Sequence, residues 1–228
     1  MHTLDIATRV SAQYHRYLQS TFRFRDPALR DSFERALAAS PLAKGPLLEG
    51  TPVFKPGSSL RALCREVLNE QPDDAFFAAL QGDRSLYWHQ QESIRRVAQG
   101  RNVVVATGTG SGKTESFLFP ILLKLWQQQR ANALAPGVRA LVLYPMNALA
   151  NDQRDRLAAP PQEGEPAGGI LHELKRQGSP FRFTFGQYIG QTPEDKPERD
   201  QTIFEGELAT RAQMRATPPH VLLTNYSM

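Results

Sequence analysis

The sequence predicts an α/β protein in which helices cover both faces of a parallel sheet, preceded by a mostly helical N-terminal region. Three observations lead to this prediction. Near-continuous apolar runs alternate with helical segments after residue 85, as in parallel strands that are buried on both faces. A glycine-rich turn joins one of these runs to a helix. Before residue 80, apolar residues instead recur at three- and four-residue spacing, which is typical of amphipathic helices.

Composition and charge exclude several classes of protein. The 228 residues are 40% hydrophobic and 22% charged, as in an ordinary globular chain. The net charge of +4 is dispersed and mostly arginine, so it permits nucleic-acid binding without indicating it. A single cysteine, Cys64, excludes an intrachain disulfide and a zinc site built on cysteine pairs. The longest apolar run, 117–123, is too short to span a bilayer, and the N-terminus does not resemble a signal peptide. We therefore expect a cytoplasmic protein with no membrane partner.

The first 80 residues are predicted to contain four helices. A stripe over 6–17 marks the first, and Asp26-Pro27 is typical of the start of the second. Ser58 or Ser59 could cap the third, and the fourth follows Pro72. The intervening segment 41–57 is rich in proline and glycine and is expected to be a loop.

From residue 81 onward the chain is expected to form one α/β domain, so we place the domain boundary between 80 and 81. The expected helices cover 88–99, 113–129 (kinked at Pro120), 147–157 and 201–215. The expected strands cover 103–106, 138–144, 181–185 and 220–224. A surface insertion is expected at 160–169.

Residues 107–114, Thr-Gly-Thr-Gly-Ser-Gly-Lys-Thr, carry the most specific signal in the chain. Glycines allow several backbone N–H groups to point at one anion, and the following helix directs its positive end to the same place. Lys113 would reach the β- and γ-phosphates, and the Thr114 hydroxyl would ligate Mg²⁺. Thr107 stands where the full pattern has glycine, but the apolar run before the turn and the helix after it supply the expected context. A chance glycine-rich turn is the alternative.

Four blocks in order resemble the first RecA-like lobe of superfamily 2 helicases of the DEAD/DEAH type. They are residues 86–90, the turn that ends in Gly-Lys-Thr, residues 143–153 and residues 221–225, and the resemblance covers 81–228. The spellings Tyr-Pro-Met-Asn-Ala-Leu and Thr-Asn-Tyr-Ser-Met are similar to those of large bacterial helicases of the mitomycin-repair type. That group includes helicases of phage-defence systems such as Druantia and DISARM.

The resemblance implies a nucleotide site around the glycine-rich turn. It implies that Gln90 hydrogen-bonds the adenine edge, and Tyr87 could stack on the base; alternatively, both residues simply start a helix. Lys113 and Thr114 are the expected catalytic residues, with Thr114 as the Mg²⁺ ligand. The full set expected to hold the nucleotide is Tyr87, Gln90, Thr109, Gly110, Ser111, Gly112, Lys113, Thr114 and Glu115.

The resemblance also implies a nucleic-acid surface formed by turns that follow strands. Asn147 could equally be only a helix N-cap, and the later turns could be ordinary turn chemistry. The residues expected to contact nucleic acid are Pro145, Asn147, Gly190, Thr192, Thr224 and Asn225.

The family also has an Asp-Glu block and a second RecA-like lobe, and no Asp-Glu dipeptide occurs in this sequence. We therefore expect the chain to be the N-terminal piece of a longer protein, and to hydrolyse ATP poorly or not at all by itself. The whole protein is expected to be a helicase or translocase that uses ATP and Mg²⁺ in phage defence or DNA repair. Its expected partners are nucleic acid, DNA in preference to RNA, the second lobe and proteins of a defence system.

Two other classes fit part of the sequence. Another P-loop enzyme, such as a nucleotide kinase, would use the same phosphate cradle but leave the turn at 144–147 unexplained. A non-catalytic scaffold would need no nucleotide, and the intact Gly-Lys-Thr argues against it. For residues 1–80, a structural brace for the motor lobe is the simplest role, with a partner dock or a nucleic-acid clamp as alternatives.

Overall fold

A computed structural model describes residues 3–39, 42, 53–68, 70–164, 167–197 and 201–226. The chain divides into two compact units, Met1–Val53 and Phe54–Met228. The second unit therefore begins earlier than the boundary that the sequence suggested at 80/81. The assignment of one part as an N-terminal helical region and of the other as a helicase lobe stays a prediction.

The first unit contains helices α1 (Thr3–Thr21) and α2 (Pro27–Ala39). Asp26 begins α2 as predicted, because its Oδ1 accepts a hydrogen bond from the Leu29 N–H at 3.1 Å. The predicted apolar stripe of α1, Ile6, Val10, Tyr14 and Tyr17, is exposed rather than buried. Most of the predicted loop at 41–57 lies outside the described residues.

The second unit is an α/β fold, which confirms the predicted class. Its four-stranded sheet has the order β3-β6-β4-β5 and every pair in it is parallel, and a separate antiparallel pair joins β1 to β2. The strands are β1 (Pro56–Ser59), β2 (Ser85–Tyr87), β3 (Ala140–Tyr144), β4 (Phe185–Tyr188), β5 (Glu207–Leu208) and β6 (Val221–Asn225). The helices are α3 (Leu60–Val67), α4 (Asp74–Ala79), α5 (Trp88–Ala98), α6 (Lys113–Arg130), α7 (Asn147–Ala158), α8 (Ile170–Arg176) and α9 (Arg211–Ala216).

One hydrophobic core explains why α3 and α4 belong to this unit. Phe76 and Phe77 of α4 are fully buried, and the Phe76 ring lies 5.6 Å from the ring of Phe181. Leu60 of α3 and Leu122 of α6 are buried in the same cluster. The side chains of residues 60–80 thus fill the core of the α/β unit, which is why the compact boundary precedes them.

Helix starts in this unit follow the predicted capping chemistry. Ser59, the second of the two candidates, caps α3, because its Oγ accepts a hydrogen bond from the Ala62 N–H at 3.2 Å. Pro120 lies inside α6, as predicted. Among the described residues, none of the helices is long and apolar enough to cross a bilayer.

The predicted strand at 103–106 is wrong. The segment is not part of either sheet, and its backbone makes no hydrogen bond to any other described backbone group. Val104 is 94% exposed. The neighbouring edge strand β3 likewise exposes Leu141 and Leu143, so the sheet is not covered on both faces there. An apolar run indicates a preference for burial but does not supply the neighbouring strand that would satisfy it.

Two other boundaries differ from the prediction. The strand expected at 181–185 begins only at Phe185, although Phe181 and Phe183 are buried. The helix expected at 201–215 is restricted to α9, because Gly206 turns the chain at φ +75° and β5 follows it. The sequence also did not indicate α8, which forms at the end of the predicted surface insertion.

Candidate nucleotide and nucleic-acid site

The glycine-rich turn needs glycine at two positions. Gly110 has φ +74°, and Gly112, the residue before α6, has φ +69°. Side chains rarely adopt this left-handed conformation. A Cβ on Gly112 would also collide with the side-chain amide nitrogen of Gln90. The backbone therefore curls into the first turn of α6 in a way that another residue would strain.

Lys113, the first residue of α6, places its ammonium inside this turn. Its Nζ donates hydrogen bonds to the carbonyl oxygens of Thr107, at 2.8 Å, and Gly108, at 2.7 Å. The side chain is otherwise exposed. A cation held by two neutral carbonyls at a helix N-terminus is available to an anion, because a phosphate offers it a stronger, charge-assisted partner.

Two side chains of α5 brace the turn, and a third holds the start of α6. Gln90 Nε2 donates to the Gly112 carbonyl at 2.8 Å, and His89 Nε2 lies 2.9 Å from the Ser111 carbonyl. Ser93 Oγ donates to the carbonyl of Ser116 in α6 at 2.6 Å. The sequence prediction included Gln90 but missed His89 and Ser93. Their four-residue spacing, which puts both on one face of α5, was the only available signal.

Gln90 is 3% exposed, and both ends of its amide have partners. Besides the bond to Gly112, its Oε1 accepts from the Tyr87 N–H at 2.8 Å, so Gln90 closes the start of α5. The helix-start alternative is therefore present in the structure. Tyr87 is partly exposed, and its ring packs 5.2 Å from Phe54 and 5.8 Å from His89. The adenine contacts of both residues stay a prediction.

The other residues expected at the nucleotide lie along the same turn. Ser111 is buried, and its Oγ lies 2.6 Å from Thr107 Oγ1. Thr109 is exposed at the tip and Thr114 is half-buried at the start of α6. Glu115 Oε1 lies 3.3 Å from an Arg156 nitrogen. The turn and its flanks thus bring the whole predicted set into one region, and its role in nucleotide binding stays a prediction.

The turns expected to contact nucleic acid meet at one edge of the sheet. They follow β3, β6 and β4, which are adjacent and parallel, so their carboxyl ends coincide. Pro145 and Gly190 are exposed there, whereas Asn147 and Thr224 are partly buried and Asn225 is buried.

The polar side chains of this edge hold the turns to one another. The Asn225 side chain donates to Asn147 Oδ1, and Thr224 Oγ1 donates to the Tyr188 carbonyl at 2.6 Å. Thr192 Oγ1 donates to the Gln187 carbonyl at 2.6 Å and accepts from the Ile189 N–H at 2.9 Å. The turn-chemistry alternative thus applies to both threonines. Their hydroxyls are engaged, which leaves the exposed backbone at Gly190 as the more accessible group.

Arg211 adds a cation to this edge that the sequence prediction missed. Its guanidinium lies over the Tyr188 ring at 5.1 Å and donates to the Ile189 carbonyl at 3.0 Å. Arg211 is the first residue of α9, far from the turn in sequence. Its guanidinium therefore fixes the turn at Gly190 and raises the local positive potential.

Tyr144 lies at the end of β3, next to the same edge. Burial raises the pKa of its hydroxyl to about 12, despite the opposing effect of the Arg156 charge. The hydroxyl therefore stays protonated and adds no negative charge to a surface expected to meet phosphates.

The chain is similar to known helicases in sequence. Residues 87–179, which contain the glycine-rich turn and the turn after β3, match a family model described as DEAD/DEAH box helicase. The helicase resemblance is confirmed. Druantia protein DruE of Escherichia coli (strain UMEA 4076-1) is 31% identical over 93% of this chain, and an uncharacterized ATP-dependent helicase, YprA of Bacillus subtilis (strain 168), is 37% identical over 39% of it.

A solved structure is also similar to this chain. It is a crystal structure of the DUF1998 helicase MrfA bound to DNA, with 26% identity, a TM-score of 0.45 and a match over 75% of this chain. The chain spans 12% of DruE, 11% of YprA and 18% of the MrfA chain.

Proposed function

We propose that the protein containing this chain is an ATP-dependent motor on nucleic acid, on DNA in preference to RNA, and that it acts in phage defence or DNA repair. The observation that carries the proposal is the turn at 107–114, with two left-handed glycines and the Lys113 ammonium at the start of α6. The match to the helicase family supports this function over a kinase or a scaffold. The similarity to DruE, a Druantia protein, supports a role in defence.

The nucleotide part of the proposal follows from the contacts of the turn. Backbone N–H groups of the curled loop and the N-terminus of α6 would hold the polyphosphate. The ammonium of Lys113 would leave the carbonyls of Thr107 and Gly108 to neutralise the phosphate charge. Gln90 now bonds the Tyr87 N–H and the Gly112 carbonyl. To bind adenine, its amide would either give up one of these two hydrogen bonds or form an additional one beside it.

Thr114 fits the Mg²⁺ of a magnesium nucleotide. It follows Lys113 at the start of α6, where its hydroxyl is the expected ligand of the ion. When bound, the ion would neutralise charge on the phosphates. Among the described residues, no group of three or more acidic, histidine or cysteine side chains forms a metal site of its own.

The nucleic-acid part follows from the sheet edge. The hydroxyls of Thr192 and Thr224 are engaged in the turns, and Asn147 Oδ1 accepts from Asn225. Backbone groups at Gly190 and the amide N–H groups of the Asn147 side chain would therefore make the contacts. Such contacts hold the phosphate backbone and carry no base information, so we expect no sequence preference. A second RecA-like lobe, defence-system proteins and a cytoplasmic location remain part of the proposal.

The experiment that tests the function compares ATP hydrolysis by the complete gene product with and without single-stranded DNA or RNA. We expect DNA to stimulate hydrolysis at least about tenfold, or ~1.4 kcal/mol of barrier, and more strongly than RNA. Asn147→Ala should lower the stimulation, whereas Gln128→Ala, in the last turns of α6, should not. Equal rates with and without nucleic acid would contradict the proposal.

A further inference from the structure

One carboxylate connects the glycine-rich turn to α7. Glu115 Oε2 lies 3.5 Å from Gln90 Nε2, and Glu115 Oε1 lies 3.3 Å from Arg156 Nη1. Glu115 is in the first turn of α6, two residues after Lys113, and Gln90 also holds the carbonyl of Gly112. Glu115 therefore contacts both the amide that braces the phosphate turn and a cation that belongs to α7.

The other end of α7 lies at the nucleic-acid edge. Arg156 is in the last turn of this helix and Asn147 is its first residue, so about 13 Å of continuous helix separates them. Asn147 is in turn bonded to Asn225 at the end of β6. A rigid helix carries a displacement at one end to the other, and the two proposed sites lie at its two ends.

The charge of the nucleotide gives the two contacts of Glu115 different strengths. A polyphosphate in the turn adds negative charge close to Glu115. Like charges repel, so the bound state favours a carboxylate that is neutralised by the Arg156 guanidinium over one that rests on the neutral amide of Gln90. Arg156, and α7 with it, is then held more firmly when nucleotide is present. A difference in contacts between two states is what linkage between two sites requires.

We propose that Arg156 is a positioning residue that links nucleotide binding at the turn to nucleic-acid binding at the start of α7, acting through Glu115. This inference rests on the proposed function. The Arg156 side chain is 41% exposed, and exposed pairs add little to folding stability, so loss of the pair should leave the fold intact. The linkage is reciprocal: nucleic acid tightens ATP binding by the factor by which ATP tightens nucleic-acid binding.

The test uses Arg156→Gln in the complete gene product. The kcat and the KM for ATP are measured with and without a single-stranded DNA oligonucleotide, and the Kd for DNA is measured with and without a non-hydrolysable ATP analogue. We expect both kinetic constants without DNA to stay within about twofold of the unmodified protein. The decrease in KM caused by DNA, and the decrease in Kd caused by the analogue, should each shrink about two- to fivefold.

Two further variants separate this role from a structural one. Arg156→Lys keeps the positive charge and should recover at least about half of the linkage. Arg130→Gln breaks an exposed pair with Glu70, of similar length at 3.2 Å, at the far end of α6, and should retain the full linkage.

The outcomes are distinguishable. An Arg156→Gln protein with unchanged linkage overturns the inference and leaves the proposed function standing, and so does an equal loss in the Arg130→Gln control. If DNA changes neither kcat nor KM in the unmodified protein, the proposed function fails and this inference falls with it.

Discussion

Lys113→Ala lowers the ATPase rate of the complete gene product at least about 100-fold, because it removes the cation that is expected to face the γ-phosphate. In the structure this ammonium rests on the carbonyls of Thr107 and Gly108 and forms no ion pair with any described acidic residue, so the phosphate-free turn already holds it in place. The measurement is steady-state phosphate release at saturating DNA.

The matched control for this result is Lys124→Ala. Lys124 is exposed on the same helix, and its removal should leave the rate within about twofold of the unmodified protein, as for most surface substitutions. A Lys113→Ala protein that retains more than about a tenth of the rate would show that this ammonium does not stabilise the reacting phosphate.

Glu207→Ala destabilises the second compact unit by about 3–5 kcal/mol, because it removes the buried carboxylate of the pair and leaves the partly buried Arg154 guanidinium with only the more distant, half-exposed Asp155 as a charged partner. The Glu207 side chain is 2% exposed, and its carboxylate accepts two hydrogen bonds from Arg154, at 2.5 and 2.9 Å. It also accepts the Phe204 N–H at 2.9 Å, and the guanidinium lies 4.2 Å over the ring of Phe204. The pair ties α7 to β5.

Urea unfolding of the chain, followed by circular dichroism, measures this loss. Two control variants show whether the loss of stability comes from the buried pair. Glu70→Ala breaks the exposed Arg130–Glu70 pair and should cost less than about 1 kcal/mol. Replacing both buried partners, Arg154→Met with Glu207→Leu, should recover much of the stability, since no unpaired charge remains. A loss in Glu207→Ala no larger than that in Glu70→Ala would contradict this account of the pair.

Local chemistry made much of the fold predictable. The caps at Asp26 and Ser59 are decided by side chains three residues from the N–H groups they accept, so the sequence contains both partners. The strand at 103–106 failed for the opposite reason. Its apolar residues indicate a buried strand, but whether a strand forms depends on a neighbour that no described segment supplies. The helix predicted at 201–215 failed likewise, because Gly206 has a positive φ that interrupts it. The periodicity of the sequence does not reveal that φ.

In the site, too, local features were predictable from the sequence and contacts between distant residues were not. Gly110 and Gly112 were predictable, because the curled backbone permits little else at their positive φ values. His89 and Arg211 were not, because each acts on a backbone carbonyl about 22 residues away in sequence. The two functions suggested for Gln90 could not be separated, since the same amide that caps α5 also faces the phosphate turn. Motifs predict which segments converge, whereas side-chain partners across the fold require the structure.

If the turn at 107–114 holds the polyphosphate of ATP, the amide chemical shifts of its residues change when the chain is titrated with ATP and Mg²⁺. We expect saturable shifts at Gly110, Gly112 and Lys113, with smaller shifts at Gln90, all strongly reduced in Lys113→Ala. Shifts that are absent from this turn, or that are the same in Lys113→Ala, would contradict this role of the turn.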